Sequence, residues 1–199
     1  MRIWSILAVS CSLLVVGCFK KNGANSTSQS ADAVPGLNGT WDLSCQKSAN
    51  GEFKSVKDTY DGENFTTFES SFLPTDETCS TPNITISGKA KVIVPKDEKS
   101  TGGGIPVDYK IISLTITPNT AAVVANLNEK KFCDASDWQL NVTKIFSETP
   151  CPNVPNFKKN NILKNIVRVS DDQKTLVYGV PSTETRPTAF TESEVYKKQ

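Results

Sequence analysis

The residues in this sequence that could do chemistry are few, and their types exclude several kinds of site. The chain contains six cysteines and no histidine, so neither a Ser-His-Asp arrangement nor a histidine general base is available. Adjacent carboxylates occur at Asp76 with Glu77, at Asp97 with Glu98 and at Asp171 with Asp172. Each pair lies beside turn-forming residues, where solvated loop charge is the simplest interpretation. The sequence therefore predicts a protein that is not an enzyme.

The N-terminal segment has the pattern of an export signal. Arg2 gives it a positive start, and residues 3–16 are apolar apart from three serines. A transmembrane helix needs about 20 apolar residues, so this shorter run is typical of a signal-peptide core. It ends in Val15-Val16-Gly17-Cys18, which resembles the lipobox of bacterial lipoproteins. The resemblance implies cleavage before Cys18 and attachment of diacylglycerol and a palmitate-type acyl chain to that residue.

A lipid anchor at Cys18 would define the location of the protein. Two or three acyl chains on one residue hold a protein stably on a membrane, whereas one chain holds it reversibly. In lipoproteins an Asp after the lipidated cysteine often retains the product at the inner membrane, and Phe19 stands there instead. We therefore expect the outer membrane, facing the periplasm or the cell surface. The alternative is an ordinary signal peptide followed by an incidental cysteine.

The rest of the chain divides into a short linker and one domain. Residues 1–17 form the predicted signal peptide. Residues 18–36 hold the lipidated cysteine and a segment rich in Ser, Asn, Ala and Gly, which is too polar to repay its ordering entropy. Residues 37–199 have a length suited to a single domain with its own core. The 22 basic and 21 acidic residues nearly balance, and no basic patch with interleaved aromatics predicts a nucleic-acid partner.

Four cysteines remain in the mature domain: Cys45, Cys79, Cys133 and Cys151. An even number of cysteines in an oxidising compartment predicts two disulfides. Three pairings are possible, and we favour Cys45 with Cys79 and Cys133 with Cys151, because each joins neighbours in the sequence. A zinc site is disfavoured, since there is no Cys-x-x-Cys and no histidine. We expect no metal and no cofactor.

Period-two alternation of apolar and polar residues dominates the domain and predicts antiparallel strands with one wet face. The clearest case is residues 84–94, where apolar side chains alternate with Thr, Ser and Lys. Further strands are predicted at residues 40–45, 53–60, 64–72, 110–116, 138–143, 162–170, 176–180 and 194–197. Asp61-Gly62 predicts a tight hairpin turn, and residues 171–174 predict another turn. Residues 120–130 favour a short helix, with Asn119 or Thr120 as its cap.

This element pattern predicts an all-β fold with eight or nine antiparallel strands and one short helix. Both a closed barrel and a sandwich fit such a pattern. Gly88 and Ala90 lie on the apolar face in mid-strand, where small residues permit strong coiling. The sequence therefore favours the barrel. We expect the barrel to come after the signal peptide and a flexible tether.

The start of the domain carries a family resemblance. Gly39-Thr40-Trp41 resembles the Gly-x-Trp signature of lipocalins and the wider calycin group. The resemblance implies a lipocalin-like barrel in which the Gly gives the chain room to turn in and the Trp closes the barrel bottom. It also implies a late Arg or Lys packed across the Trp ring, a part that Arg186 could play. The helix in mid-chain departs from the lipocalin pattern, so the resemblance supports the barrel more than any ligand.

Two functions follow from these expectations. In the first, a lipid-anchored envelope protein binds a small apolar molecule or a lipid inside the barrel. The lining residues would be Ile84, Ile86, Val92, Ile112, Leu114 and Trp138. In the second, the core is filled, and the protein meets an envelope protein partner through loops such as residues 96–104 or 151–161. An exposed aromatic such as Phe157 would favour this second function.

Overall fold

A computed structural model describes residues 28–98, 102–148, 151–152, 154 and 157–199. Ten strands run through these residues: β1 (Ser28–Gln29), β2 (Gly39–Lys47), β3 (Phe53–Asp61), β4 (Asn64–Phe72), β5 (Ile84–Pro95), β6 (Ile105–Pro118), β7 (Lys144–Ile145), β8 (Ile162–Val169), β9 (Thr175–Tyr178) and β10 (Tyr196–Lys198). One α-helix, α1, spans Ala121–Glu129. Two 3-10 helices span Ala31–Ala33 and Phe132–Asp134.

Eight of the strands form a closed antiparallel barrel. β2 to β6 follow one another as a meander, and β8, β9 and β10 continue the sheet until β10 pairs with β2. The ring is complete because β6 pairs with β5 on one side and with β8 on the other. β1 and β7 lie outside the ring and extend the pairing at the ends of β5 and β6. The all-β barrel with one short helix is therefore confirmed.

The turns and the helix end where the sequence indicates. Asp61 pairs with Asn64 at the tip of the β3–β4 hairpin, and Gly62 has a φ of 55° there. A left-handed backbone of this kind is what an Asp-Gly turn supplies. Helix α1 is capped by Thr120, whose hydroxyl accepts a hydrogen bond from the backbone N–H of Val123 at 3.3 Å. The predicted hairpin and helix are both confirmed.

Both disulfides form as predicted. Cys45 in β2 is bonded to Cys79 in the loop that follows β4, and Cys133 is bonded to Cys151. The first bond fastens the β4–β5 loop to β2. The second fastens the segment after α1 to the segment before β8. Each bond thus restrains an irregular connection that has few ladder hydrogen bonds of its own.

The buried residues form two clusters. The barrel-core cluster is built on the following side chains: Ala31, Val34, Leu37, Trp41, Leu43, Val56, Tyr60, Ala90, Val92, Val94, Val107, Tyr109, Val167, Leu176 and Tyr196. The helix-side cluster lies under α1 and comprises Ile84, Ile116, Val123, Leu127, Cys133, Trp138, Phe146, Cys151 and Val154. Val123 and Leu127 are four positions apart, so α1 presents one apolar face to the sheet.

The folded unit begins before the predicted end of the linker at residue 36. Ala31, Val34 and Leu37 are three positions apart and almost fully buried in the barrel-core cluster. The Leu37 carbonyl accepts a hydrogen bond from the indole nitrogen of Trp41 at 2.7 Å. The prediction of a linker therefore fails for residues 28–36, because these few apolar side chains close one end of the barrel.

One predicted strand, at residues 138–143, is wrong. Trp138 lies in a loop, where its backbone N–H donates to the side chain of Asn128 at 2.7 Å and its carbonyl accepts from that side chain at 3.0 Å. A side-chain amide therefore occupies the positions that a neighbouring strand would fill. Only Lys144–Ile145 pairs with β6, and the apolar side chains of Leu140 and Val142 are exposed.

Candidate functional site

The structure does not bring the six predicted lining residues together around one space. Val92 belongs to the barrel-core cluster, whereas Ile84 and Trp138 belong to the helix-side cluster, with Ile86 and Leu114 packed against it. These residues contact other side chains of the chain. The prediction of a shared ligand-lining set is therefore not supported by where these residues lie.

The sixth residue, Ile112, faces outward, and a β-bulge is the cause. Lys89 pairs with Ser113 and Ala90 pairs with Ile111, so Ile112 is the extra residue on β6. A bulge shifts the inward and outward alternation by one position. Ile111 is consequently buried and Ile112 is 38% exposed. The prediction that Ile112 points inward is wrong.

The Gly-x-Trp residues lie at the closed end of the barrel, with a different cation from the one expected. Trp41 is fully buried, and the Lys198 ammonium lies 5.0 Å from its ring centroid. Gly39 has a φ of 126°, and a Cβ there would meet the Lys198 side chain at 2.9 Å. Lys198 also donates to the carbonyl of Gly36 at 2.7 Å. A late lysine, and not Arg186, therefore packs across the Trp ring.

Arg186 instead holds the long segment between β9 and β10 against the outside of the barrel. Its guanidinium lies 2.8 Å from an Asp108 oxygen and 2.5 Å from a Glu98 oxygen. It also donates to the carbonyl of Asn165 at 2.5 Å. Burial raises the pKa of Asp108, and the Arg186 charge opposes that rise. The assignment of Arg186 to the Trp41 ring is wrong, and its role is to fix a loop.

A polar network that the sequence did not reveal occupies the middle of the barrel. The hydroxyls of Tyr60 and Tyr109 lie 2.6 Å apart, and the Tyr60 hydroxyl donates to Tyr178 at 3.1 Å. Asp58 joins the network through hydrogen bonds with Thr67 and Tyr178. Val56, Asp58 and Tyr60 occupy successive inward positions of β3. A charged residue at one of these inward positions is the feature of the sequence that could have indicated a buried polar network.

Asp58 is the most perturbed group of this network. Its side chain is almost fully buried, and its Oδ1 atom has no hydrogen-bond partner among the described residues. Burial raises the pKa of Asp58 to about 6, against a smaller lowering by the hydrogen bonds from Thr67 and Tyr178. Burial also raises the pKa of Tyr60 and Tyr178 well above the ordinary value. The tyrosines are therefore neutral donors, and Asp58 is the group that titrates near neutral pH.

Further carboxylates lie toward the other end of the same space. Lys54 forms an ion pair with Glu194 at 2.7 Å, which links β3 to the segment before β10. Burial raises the pKa of Glu69, while the Lys54 charge opposes the rise and the Glu194 charge adds to it. The Lys54 charge thus lowers the pKa of both Asp58 and Glu69, and in each case burial outweighs it.

The chemistry available in this interior is limited. Within the described part of the chain, no group of three His, Cys, Asp or Glu side chains is arranged to hold a metal ion. The tyrosine hydroxyls bond to one another, which leaves Asp58 as the member with an unused acceptor. We interpret the network as a polar filling of the barrel that is sensitive to pH.

A depression of about 300 Å³ lies on the outer face of the barrel, across β3, β4, β5 and β6. Two cross-strand rows of outward side chains line it. The first row contains Lys57, Phe68, Ser87 and Thr115. The second contains Thr59, Thr66, Lys89 and Ser113. We call this surface the outer groove.

The outer groove presents unused polar groups and one exposed ring. Lys57 and Lys89 form no ion pair with any described residue, and the hydroxyls of Thr66 and Ser113 have no described hydrogen-bond partner. Phe68 is 51% exposed. The alternation identified these positions as a wet face, but only the strand register places them in one concavity.

The loops proposed as contact sites are described in part. Residues 99–101 of the first loop, and residues 153, 155 and 156 of the second, lie outside the described residues. Phe157 packs against the helix-side cluster. Phe157 therefore does not supply the exposed aromatic patch that would have favoured binding through this loop.

The predicted lipidation site, Cys18, lies outside the described residues, as do Phe19 and the rest of the lipobox. Among the helices that the structure describes, none has the length and apolar character needed to cross a membrane.

Searches against protein-family models and against curated proteins returned no match.

Proposed function

We propose that this protein is a lipid-anchored, non-enzymatic component of a bacterial cell envelope that binds a partner through its outer groove. The observation that carries the proposal is the contrast between the two faces of the sheet. Inward positions are occupied by two packed clusters and a polar network. Outward positions form a concavity with unpaired ammonium groups and an exposed phenyl ring. Exposed, unpartnered groups of this kind are available to a partner.

The anchor in this proposal is the acylated Cys18. A lipid on that residue would hold the barrel near the membrane surface by residues 19–27, and the absence of Asp at position 19 favours the outer membrane. Metabolic labelling with an alkyne palmitate analogue should label the wild-type protein and not Cys18→Ser. The same variant should move from the membrane to the soluble fraction. Labelling of Cys18→Ser would contradict the anchor.

Binding of a small apolar molecule inside the barrel is the second candidate function. The closed eight-stranded barrel supports this function, because the interior of such a barrel can hold one small ligand. Five of the six predicted lining residues are divided between two packed clusters, so a ligand would have to displace side chains that contact one another. We therefore favour the outer groove as the binding surface.

The proposal is tested by photo-crosslinking in the envelope. A photoreactive amino acid replaces Phe68 in the full-length lipoprotein, and a matched variant carries it at Val180. Val180 is even more exposed than Phe68, at 63% against 51%, and lies after β9, outside the groove. We expect a discrete adduct from position 68 and none from position 180. Equal adducts at both positions, or none at either, would contradict the outer groove as a binding surface.

A further inference from the structure

We infer that the outer groove binds an acidic oligosaccharide, that is, a glycan chain that carries carboxylate or phosphate groups. This inference rests on the proposed function, because it names the chemistry of the ligand that the same groove takes. The groove combines three kinds of group on adjacent strands: hydroxyls, ammonium groups and one exposed aromatic ring. Each kind matches a different part of such a ligand.

The hydroxyls match the polyol part of a glycan. Thr66, Ser87 and Ser113 have side-chain hydroxyls without a described hydrogen-bond partner. A hydroxyl donates one hydrogen bond and accepts others, so each can rotate to meet either a donor or an acceptor on a sugar. The Thr59 hydroxyl has a partner, the hydroxyl of Thr40 at 3.2 Å, and forms a wall of the groove.

The ammonium groups match the acidic part. Lys57 and Lys89 belong to neighbouring rows on β3 and β5, so strand spacing separates their Cα atoms by roughly 12 Å. Asp42 is the nearest acidic neighbour in the register, and it pairs across the sheet with both Lys57 and Lys197. No carboxylate is among the residues that line the groove. The local charge is therefore positive, which favours an anionic ligand over a neutral one.

The phenyl ring matches the apolar face of a sugar. Phe68 lies in the row between Lys57 and Ser87, with half of its surface exposed. A ring flanked by a cation and hydroxyls presents an apolar platform with polar groups at its edges. A purely apolar ligand would leave those hydroxyls and ammonium groups without partners, which disfavours it in this groove.

The inference is tested by titration of the full-length lipoprotein in detergent, followed by ligand-observed NMR. The probes are tetragalacturonate, the neutral maltotetraose and inorganic phosphate. We expect saturable binding of tetragalacturonate, and binding at least about tenfold weaker for each of the other two probes. The double variant Lys57→Gln, Lys89→Gln should bind tetragalacturonate at least about fivefold more weakly. Phe68→Ser should weaken binding by a similar factor.

A matched double variant, Lys130→Gln with Lys158→Gln, removes the same charge from two exposed lysines near α1 and before β8. It should bind tetragalacturonate within about twofold of the wild type. Loss of binding in this control would show bulk charge attraction and overturn the inference. Binding of maltotetraose as tight as that of tetragalacturonate would overturn the inference that the ligand is acidic.

The crosslink at position 68 distinguishes failure of the glycan inference from failure of the proposed function of the outer groove. An adduct whose extra mass is removed by glycan-cleaving treatment, and whose digest contains no peptides of a second protein, supports the inference. An adduct whose digest contains peptides of a second protein keeps the outer groove as a binding surface and overturns the glycan as its ligand. Absence of any adduct overturns the proposed function itself.

Discussion

The hydroxyl oxygens of Tyr60 and Tyr109 lie 2.6 Å apart in the middle of the barrel. The two rings come from β3 and β6, strands that are not neighbours in the sheet, so this hydrogen bond spans the interior. Both tyrosines also belong to the barrel-core cluster. The bond therefore joins opposite walls of the barrel and fills the space where the sequence suggested an apolar ligand.

Replacement of the buried Asp58 should change how stability depends on pH. The folded-state pKa is about 6, against an ordinary value of 3.8, so folding favours the protonated form. The stability from this group is fully present below about pH 4 and is lost as pH rises through about 6. The loss is roughly 3 kcal/mol. Asp58→Asn should thus be the more stable protein at pH 7.5 by urea unfolding.

The pH experiment has an internal control in Asp42→Asn, which removes a carboxylate from the outer face. Because this variant keeps Asp58, it should retain the decline in the free energy of unfolding that the wild type shows as pH rises through about 6. Burial also raises the pKa of Glu69. The free energy of unfolding of Asp58→Asn should therefore still decline as pH rises, by a smaller amount than in the wild type. A wild type that becomes more stable relative to Asp58→Asn as pH rises would contradict the account.

Removal of the lysine over Trp41 should destabilise the closed end of the barrel. Lys198→Ala loses the ammonium above the indole ring and the hydrogen bond to Gly36. We expect a loss of about 1–3 kcal/mol in the free energy of unfolding and a shift in tryptophan fluorescence. The neighbouring Lys197 is exposed, and Lys197→Ala should change stability by less than about 0.5 kcal/mol. Equal effects of the two variants would refute this role.

The two disulfides should contribute unequally. The Cys45–Cys79 bond closes a separation of 34 residues and the Cys133–Cys151 bond one of 18. Chain entropy gives roughly 4 kcal/mol for the longer loop and roughly 3 kcal/mol for the shorter. Double alanine variants of each pair, compared by urea unfolding, should preserve this order. Peptide mapping without reduction should find the same two pairs, and a Cys45–Cys133 peptide would contradict them.

The side chain of Asn128 should be required for the loop that follows α1. Asn128→Ala removes both hydrogen bonds to the backbone of Trp138, and we expect a loss of about 2–3 kcal/mol. Asn126 is the matched control on the same helix. Its Oδ1 atom is buried without a described partner, so Asn126→Ala should be neutral or stabilising. A larger loss in Asn126→Ala would reverse this interpretation.

Much of the barrel could be predicted because period-two alternation is a local property of the chain. The β3–β4 hairpin, α1 and both disulfides follow from turn residues, a helix cap and cysteine spacing. The strand at residues 138–143 was predicted from the same alternation, and it failed because Asn128, ten positions away, supplies the backbone partners of Trp138. Alternation alone cannot show which polar group pairs with a strand-like segment.

The site was less predictable because it depends on register. One extra residue at Ile112 reverses which side chains of β6 face inward, and no local signal marks that bulge. Lys198 and Arg186 are both late cations, and only the pairing of β10 with β2 places Lys198 beside Trp41. The outer groove likewise exists only because three separate strands align Lys57, Phe68 and Lys89.

The central claim is that the barrel interior is filled and that binding occurs outside it. Native mass spectrometry of the full-length lipoprotein, compared with the denatured and unreduced protein, tests it most directly. We predict no bound lipid or other apolar molecule, also after incubation of the protein with a total lipid extract. A discrete extra mass that is lost on denaturation and that fragments as a lipid or other apolar molecule would show an enclosed ligand and would contradict the account.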